Sequence, residues 1–469
     1  MARVRVTPPA ASLAAGFAAI RTELGLPASF PDEVVEEAGL AAAEPGERAD
    51  ATGVPFVTID PPGSRDLDQA YHAERRGSGY RVAYAIADPG AYVVPGGRLD
   101  AESRARGATL YAPDARVPLY PPLLSEGGAS LLAGETRPAL VWRFDLDAAG
   151  DVTDVRVERG VVRSRAQLDY PSVQAALDAG TADEPVELLR EIGRLRQAVE
   201  VARGGVSLKT PAQEVVRLDD GGYALAYVAP LPVENWNAQI SLMTGMAAAR
   251  IMLDGGVGLL RTMPRPAARS VDALRRSAAA LGAPWEPDVA YPAFIRSLDP
   301  GVPAHAALLN LATTLLRGAG YTAFDGAPPE VGEHSAIAAP YAHVTAPLRR
   351  LADRFANEVV LALVAGREVP GWCRAALPEL PGLMAAADRR ERELDRAVLD
   401  YVEAAVLERR VGETFDAVVT DVDDRGGIVQ VAEPAVRARL VGTAPLGAAI
   451  EVRLTEADVA QRRVRFAPA

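Results

Sequence analysis

Hydrophobic positions along the 469-residue chain change their period three times. Over 12–26, Leu13, Phe17, Ile20 and Leu24 recur at helical spacing behind Ser12, which predicts an N-capped amphipathic helix. A second short helix is predicted over 30–43, starting at Pro31. From about 54 to 145 the pattern becomes strand-like: FVTID, YRVAYAIAD and LVWRFDLDA are apolar runs bounded by Gly, Pro and Asp. A loop-rich stretch, TLYAPDARVPLYPPLLSEGGASLL, lies between the last two. From about 185 to 405 helical spacing dominates, notably in 234–253, 305–317 and 384–408. The last of these sets Leu394, Val398 and Tyr401 on one side and charged residues on the other. The tail, 411–469, alternates again in five short runs, ETFDAVVTDV, GGIVQV, VRARLV, AAIEVRLTE and RRVRFAP. Five strands with glycine-marked turns predict a small closed barrel of the OB type. The expected class is α+β, with a helical region over 1–50, a large mixed domain over 51–408 and the barrel over 411–469.

Composition narrows the chemistry. A hydrophobic content of 49% fits a globular chain, and no apolar stretch reaches the ~20 residues a membrane span needs. The alanine-rich run after Arg3 and Arg5 passes straight into Arg21 and Glu23, so it reads as a packed helix rather than a leader. A single cysteine, Cys373, excludes an internal disulfide framework, and the expected compartment is the cytoplasm. Histidines at 72, 305, 334 and 343 have no zinc-ligand spacing. The net charge of −12 opposes indiscriminate binding to a polyanion but leaves room for a local basic channel. Lysine is almost absent, so arginine supplies nearly all the positive charge.

Two stretches concentrate candidate chemistry. In TIDPPGSRDLDQA, residues 58–70, Asp66 and Asp68 stand two apart, so an extended backbone aims both the same way. Asp60 folds back toward them across a Pro-Pro-Gly turn. Three such charges repel unless a cation joins them or one carboxyl is protonated. All-oxygen donors suit Mg²⁺ or Mn²⁺, and such ions suit phosphodiester hydrolysis. The loop alone is equally consistent with a solvated acidic turn neutralised by Arg65. The second stretch, HVTAPLRRLADRFAN, places Arg349, Arg350 and Arg354 where a helix begins after Pro347. A helix start and adjacent guanidiniums favour phosphate, whereas a solvated arginine face is the plain alternative.

TIDPPGSRDLDQA, then YAIADPGAYVVPGGRLDAESRARGATLYAPDARVPLYPPLLSEGGASLL, then YAHVTAPLRRLADR together resemble the catalytic domain of the ribonuclease II (RNB) family. The 411–469 barrel resembles that family's C-terminal S1 domain. The resemblance covers roughly 50–469 and implies a processive 3′→5′ exoribonuclease. Such an enzyme degrades single-stranded RNA with divalent metal and releases 5′-nucleoside monophosphates. It implies that Asp60, Asp66 and Asp68 hold Mg²⁺, with Mn²⁺ as a substitute, and that Arg349 stabilises charge on the scissile phosphate. It gives Tyr111 the role of stacking on the 3′-terminal nucleotide, with Arg350 and Asp395 as further RNA contacts, Glu391 and Glu393 being close rivals for the last. Three departures stand out. Gln69 occupies the position of a fourth acid, where an amide oxygen coordinates without charge; Gln239 stands where the family is acidic; and no cold-shock barrels fit in the first 50 residues. The helical region in their place admits a packing arm or a helix-turn-helix-like grip. Two functions follow: a hydrolytic exoribonuclease, or a non-catalytic RNA-binding relative disarmed at Gln69. A self-enclosed RNA channel would need no second subunit, so a monomer is expected.

Overall fold

The computed structural model describes residues 4–5, 10–41, 47–208, 211–218 and 221–469. Its centre is a seven-stranded mixed sheet in the order 166–169, 57–60, 69–76, 79–87, 136–146, 152–163, 49–50. The inner pairs are antiparallel, while Ala166–Asp169 runs parallel to Val57–Asp60 and Ala49–Asp50 parallel to Val152–Arg163. One row of side chains crosses the sheet in register, Val57, Tyr71, Tyr84, Trp142 and Val157. Tyr71, Tyr84 and Trp142 are almost fully buried, and aromatic neighbours across strands lock a register that one slipped residue would turn inside out. The strand Gly79–Ala87 is buried on both faces, which is why YRVAYAIAD is a continuous apolar run rather than an alternating one.

Helices cover the sheet. Leu351–Val364 is buried at every position from 351 to 362, which makes it the central helix of the domain. The region after 185, where helical spacing dominates, also contains two small sheets. Ala212–Arg217 pairs with Tyr223–Val228, and Val257–Thr262 pairs with Gly320–Asp325. The first pair closes within a few residues and the second joins strands far apart in the chain, so helical spacing on either side masks both.

The N-terminal helix spans Ala10–Glu23, so Ser12 lies inside it rather than capping it. The second, Asp32–Leu40, does begin directly after Pro31. The two helices pack on different elements. The first helix packs on the long helix Leu380–Leu407, with Phe17 edge-on to Tyr401 and Tyr223, and the second packs on Arg98–Arg106. Gly16 lies so close under the Tyr401 ring that a Cβ there would collide with it.

The tail closes into a five-stranded barrel, Thr414–Asp423, Gly426–Val431, Val436–Leu440, Ala449–Asp458 and Arg463–Pro468. Register shifts at Val419/Asp421 and Leu454/Glu456 bend two long strands around it. Its only aromatics, Phe415 and Phe466, are buried in its core, so it offers no stacking platform. Of its arginines, Arg439 pairs with Asp423, Arg463 with Glu456 and Arg462 with Glu23. These pairs offset much of the positive charge on the barrel surface.

The barrel shares a core with the rest of the chain: Leu13, Phe17, Leu110, Val117, Leu225, Val398 and Phe466 belong to one buried cluster. At its edge Glu403 is buried, and its Oε1 accepts hydrogen bonds from Gln213 Nε2 (2.6 Å) and the Arg437 amide (2.8 Å). Burial outweighs these bonds and pushes its carboxyl up to about 7. The folded state therefore holds a proton that the unfolded chain releases near pH 4.5, so this group's contribution falls as pH rises from there to about 7. Glu403→Gln, neutral at every pH, should abolish that slope and raise stability at pH 8 by up to about 3 kcal/mol. Melting temperatures of both proteins across pH 4–8 check this, and parallel profiles would refute it.

Candidate active site

The acidic loop is held so that its carboxylates share one side. Val57–Asp60 ends at Asp60, a Pro-Pro-Gly turn with Gly63 at φ +79° reverses the chain, and Leu67 plunges into the core at 0% exposure. Its backbone is tied at both ends: the Leu67 amide donates to Ser130 Oγ (3.0 Å), and its carbonyl accepts from the Leu131 amide (3.1 Å). With Leu67 anchored inward, the residues on either side, Asp66 and Asp68, must face the opposite way. Asp60, Asp66, Asp68, Gln69, Tyr111 and Arg349 all line one cavity of about 800 Å³.

Each carboxylate has a different environment. Asp66 accepts one hydrogen bond on each oxygen, from Tyr111 Oη (2.7 Å) and an Arg116 guanidinium nitrogen (2.7 Å). Arg116, not Arg65, neutralises it; Arg65 instead approaches Glu126. Asp68 accepts from the Leu348 amide (2.7 Å) and lies 3.5 Å from Arg349 Nε, yet burial holds its carboxyl well above the ordinary range. Asp60 is pushed up to about 7, first by burial and then by the nearby Asp66, with Arg349 opposing. Its Oδ2 is buried without any hydrogen-bond partner.

Arg349 arrives from nearly three hundred residues away through stitched backbone. Its carbonyl accepts from the Thr109 amide (2.9 Å), and the Leu351 amide donates to the Gly107 carbonyl (3.0 Å). The 107–109 segment runs directly into the hairpin Leu110–Tyr111/Arg116–Val117, so one seam positions both Arg349 and Tyr111. Tyr111 is 44% exposed at the cavity, its hydroxyl fixed on Asp66.

Other expected contacts do not come to the cavity. Arg350 forks onto Asp353, with both bonds at 2.9 Å, and Arg354 is buried against Asp100. Of the three arginines read as a phosphate cradle, only Arg349 faces the cavity; the other two compensate buried acids. Asp395 is exposed on the long helix outside the lining. Gln239 is buried and donates to Glu200 (2.5 Å), while Glu234, in the first turn of the same helix, lines the cavity. Gln69 is engaged at both ends, donating to the Thr345 carbonyl (2.5 Å) and accepting from the Tyr84 hydroxyl (3.1 Å). The sequence reading passed over Glu234, Tyr170 and Arg217, all in the cavity wall. Glu234 and Tyr170 stand in the opening turns of helices with Pro at the start, a signal that places them on an exposed helix end.

Among the described residues no three carboxylate, imidazole or thiolate groups are gathered closely enough to cage an ion by themselves. Mg²⁺ does not require this: it keeps several waters and takes one or two carboxylates plus substrate phosphates. The unpartnered Asp60 oxygen, Asp68 in the same wall and a lining without histidine or cysteine fit such an ion.

The RNB domain description matches residues 48–366, and the RNase II-type exonuclease C-terminal S1 domain matches 413–469. The chain belongs to the RNB family. Ribonuclease R of Escherichia coli (strain K12) is 26% identical over 96% of this chain and 61% of its own length. This RNB chain thus spans about three fifths of the length of that curated relative. Ribonuclease R of Mycoplasma genitalium, solved with ribose-methylated single-stranded RNA, superposes with a TM-score of 0.88 at 19% identity, covering 97% of this chain and 78% of that one. Yeast Ssd1, described as a pseudonuclease, superposes with a TM-score of 0.71 at 16% identity, covering 92% and 55%. At these identities both likenesses concern the fold, which evidently serves cleaving and non-cleaving proteins alike. No helix among the described residues is long and apolar enough to cross a membrane.

Proposed function

We propose that this RNB chain is a hydrolytic exoribonuclease that shortens single-stranded RNA processively from its 3′ end, releasing 5′-nucleoside monophosphates with the help of Mg²⁺ or Mn²⁺. The observation that carries the reading is the meeting of Asp60, Asp68, Arg349 and Tyr111 in one cavity. Asp60 and Asp68 would hold the cation, with Asp66 behind them; when bound, it supplies an activated water and offsets charge on the leaving oxygen. Arg349, half exposed and oriented by Asp68, donates to the phosphate oxygens as negative charge builds there. The Tyr111 ring offers its face to the terminal base, and stacking accepts every base, as a sequence-blind nuclease needs. Its hydroxyl bond to Asp66 fixes the ring before substrate arrives, so little ordering remains to be done on binding.

Gln69 favours a second reading, an RNA-binding protein without cleavage, because its neutral amide is already bonded on both sides. Labelled oligoadenylate incubated with pure protein, with and without Mg²⁺ or Mn²⁺, separates the two. Metal-dependent stepwise shortening from the 3′ end is expected; tight retention of uncut RNA would establish the second.

A further inference from the structure

The cavity contains three guanidiniums, and two are committed. Arg116 is paired with Asp66 (2.7 Å) and Arg349 faces Asp68 (3.5 Å). The third, Arg217, is exposed at the wall and has no hydrogen-bond or carboxylate partner among the described residues. It ends the strand Ala212–Arg217, opposite Tyr223 on the returning strand.

The hairpin that carries it is braced. Gln213 Nε2 donates to Glu403 (2.6 Å) and to the Ala435 carbonyl (2.7 Å), and the Tyr227 hydroxyl donates to the Val436 carbonyl (3.3 Å). Tyr223 and Leu225 are buried in the shared core, with the Phe17 ring 5.3 Å from that of Tyr223. A long, flexible arginine with no partner normally wanders in solvent; here its Cα is mounted on a bracket fixed to the barrel and to the N-terminal helix. The bracket brings the charge to a wall that also carries Asp60, Asp66, Asp68, Asp114 and Glu234. An entering polyanion meets those acids and an overall charge of −12. An uncompensated guanidinium is what such a strand would find attractive, and its fork matches phosphate oxygens.

We propose that Arg217 binds a backbone phosphate of the RNA strand as it enters the cavity, outside the scissile linkage. This rests on the exoribonuclease reading and adds to it a substrate contact that no acid of the site supplies. Because phosphates are common to all sequences, Arg217 contributes grip without base preference.

The test is binding of a labelled oligoadenylate of about a dozen nucleotides, in EDTA so that no cleavage occurs, across about 50–200 mM salt. Arg217→Ala should weaken binding about 5–10-fold at the lowest salt and lower the salt slope by about one phosphate's worth. Arg217→Lys should keep the slope, since the charge is retained, and Arg217→Glu should lose more than alanine. A merely structural role would change affinity without changing the slope. An Arg217→Ala protein with unaltered affinity and slope, while Tyr111→Ala binds more weakly, would overturn this inference and leave the exoribonuclease reading standing. A parent protein that binds no RNA at all would overturn both.

Discussion

Asp68→Asn is expected to reduce metal-dependent shortening of single-stranded RNA by about a thousandfold or more, the several kcal/mol that a correctly held divalent cation supplies at a phosphoryl centre. The substitution leaves the scaffold alone. Asparagine keeps an acceptor oxygen for the Leu348 amide, which Asp68 engages at 2.7 Å. It also removes a charge from a group whose burial already holds the carboxyl above its ordinary range. The variant should therefore melt at or above the parent temperature in the absence of metal while losing activity. The parent should gain melting temperature when Mg²⁺ is added, and the variant should gain less, because a ligand that binds only the folded state stabilises it by mass action. Unchanged cleavage by a folded Asp68→Asn protein would remove Asp68 from the mechanism.

Asp353→Ala should produce the largest loss of stability at the site's foundation, about 3–5 kcal/mol, read as a fall in melting temperature. Asp353 is fully buried and accepts three hydrogen bonds, from the Ala346 amide (2.7 Å) and from two nitrogens of Arg350 (2.9 Å each). Alanine would strand the Arg350 guanidinium and leave the amide unsatisfied. The turn from Thr345 to Arg350 would lose the anchor that aims Arg349, so cleavage should fall along with stability. Adding Arg350→Met removes the stranded charge and should recover part of the melting temperature, but not the cleavage rate. A loss below about 1 kcal/mol would mean the turn is held by its backbone seam to 107–109 alone.

The acids and Arg349 were legible because their geometry is nearly local: Leu67 between two aspartates announces an extended, one-sided loop, and TAPLRR is contiguous. The barrel was legible because alternation with glycine turns leaves few other solutions. What misled was charge that looks free in one dimension. Arg350 has its partner three residues on, a spacing visible in the sequence, whereas the Arg354 partner, Asp100, is 254 residues away. Arg116 gave no sign that it would claim Asp66, since the two meet only after a 50-residue excursion. Gln239 drew attention by its resemblance, yet helix phase turns it toward Glu200 and brings Glu234 to the cavity instead. The barrel's arginines also look free in one dimension, yet Arg463 meets Glu456 on the neighbouring strand and Arg439 meets Asp423 from two strands away.

The close seat of Gly16 under Tyr401 lets inherited change reach the packing of the first helix without touching the cavity wall, to which neither residue belongs. A methyl group at that glycine would pry the first helix from the long one, and with it Phe17 from Tyr223 on the strand that pairs with Ala212–Arg217. On the proposed exoribonuclease reading, such variation would surface first in how firmly RNA is held at Arg217.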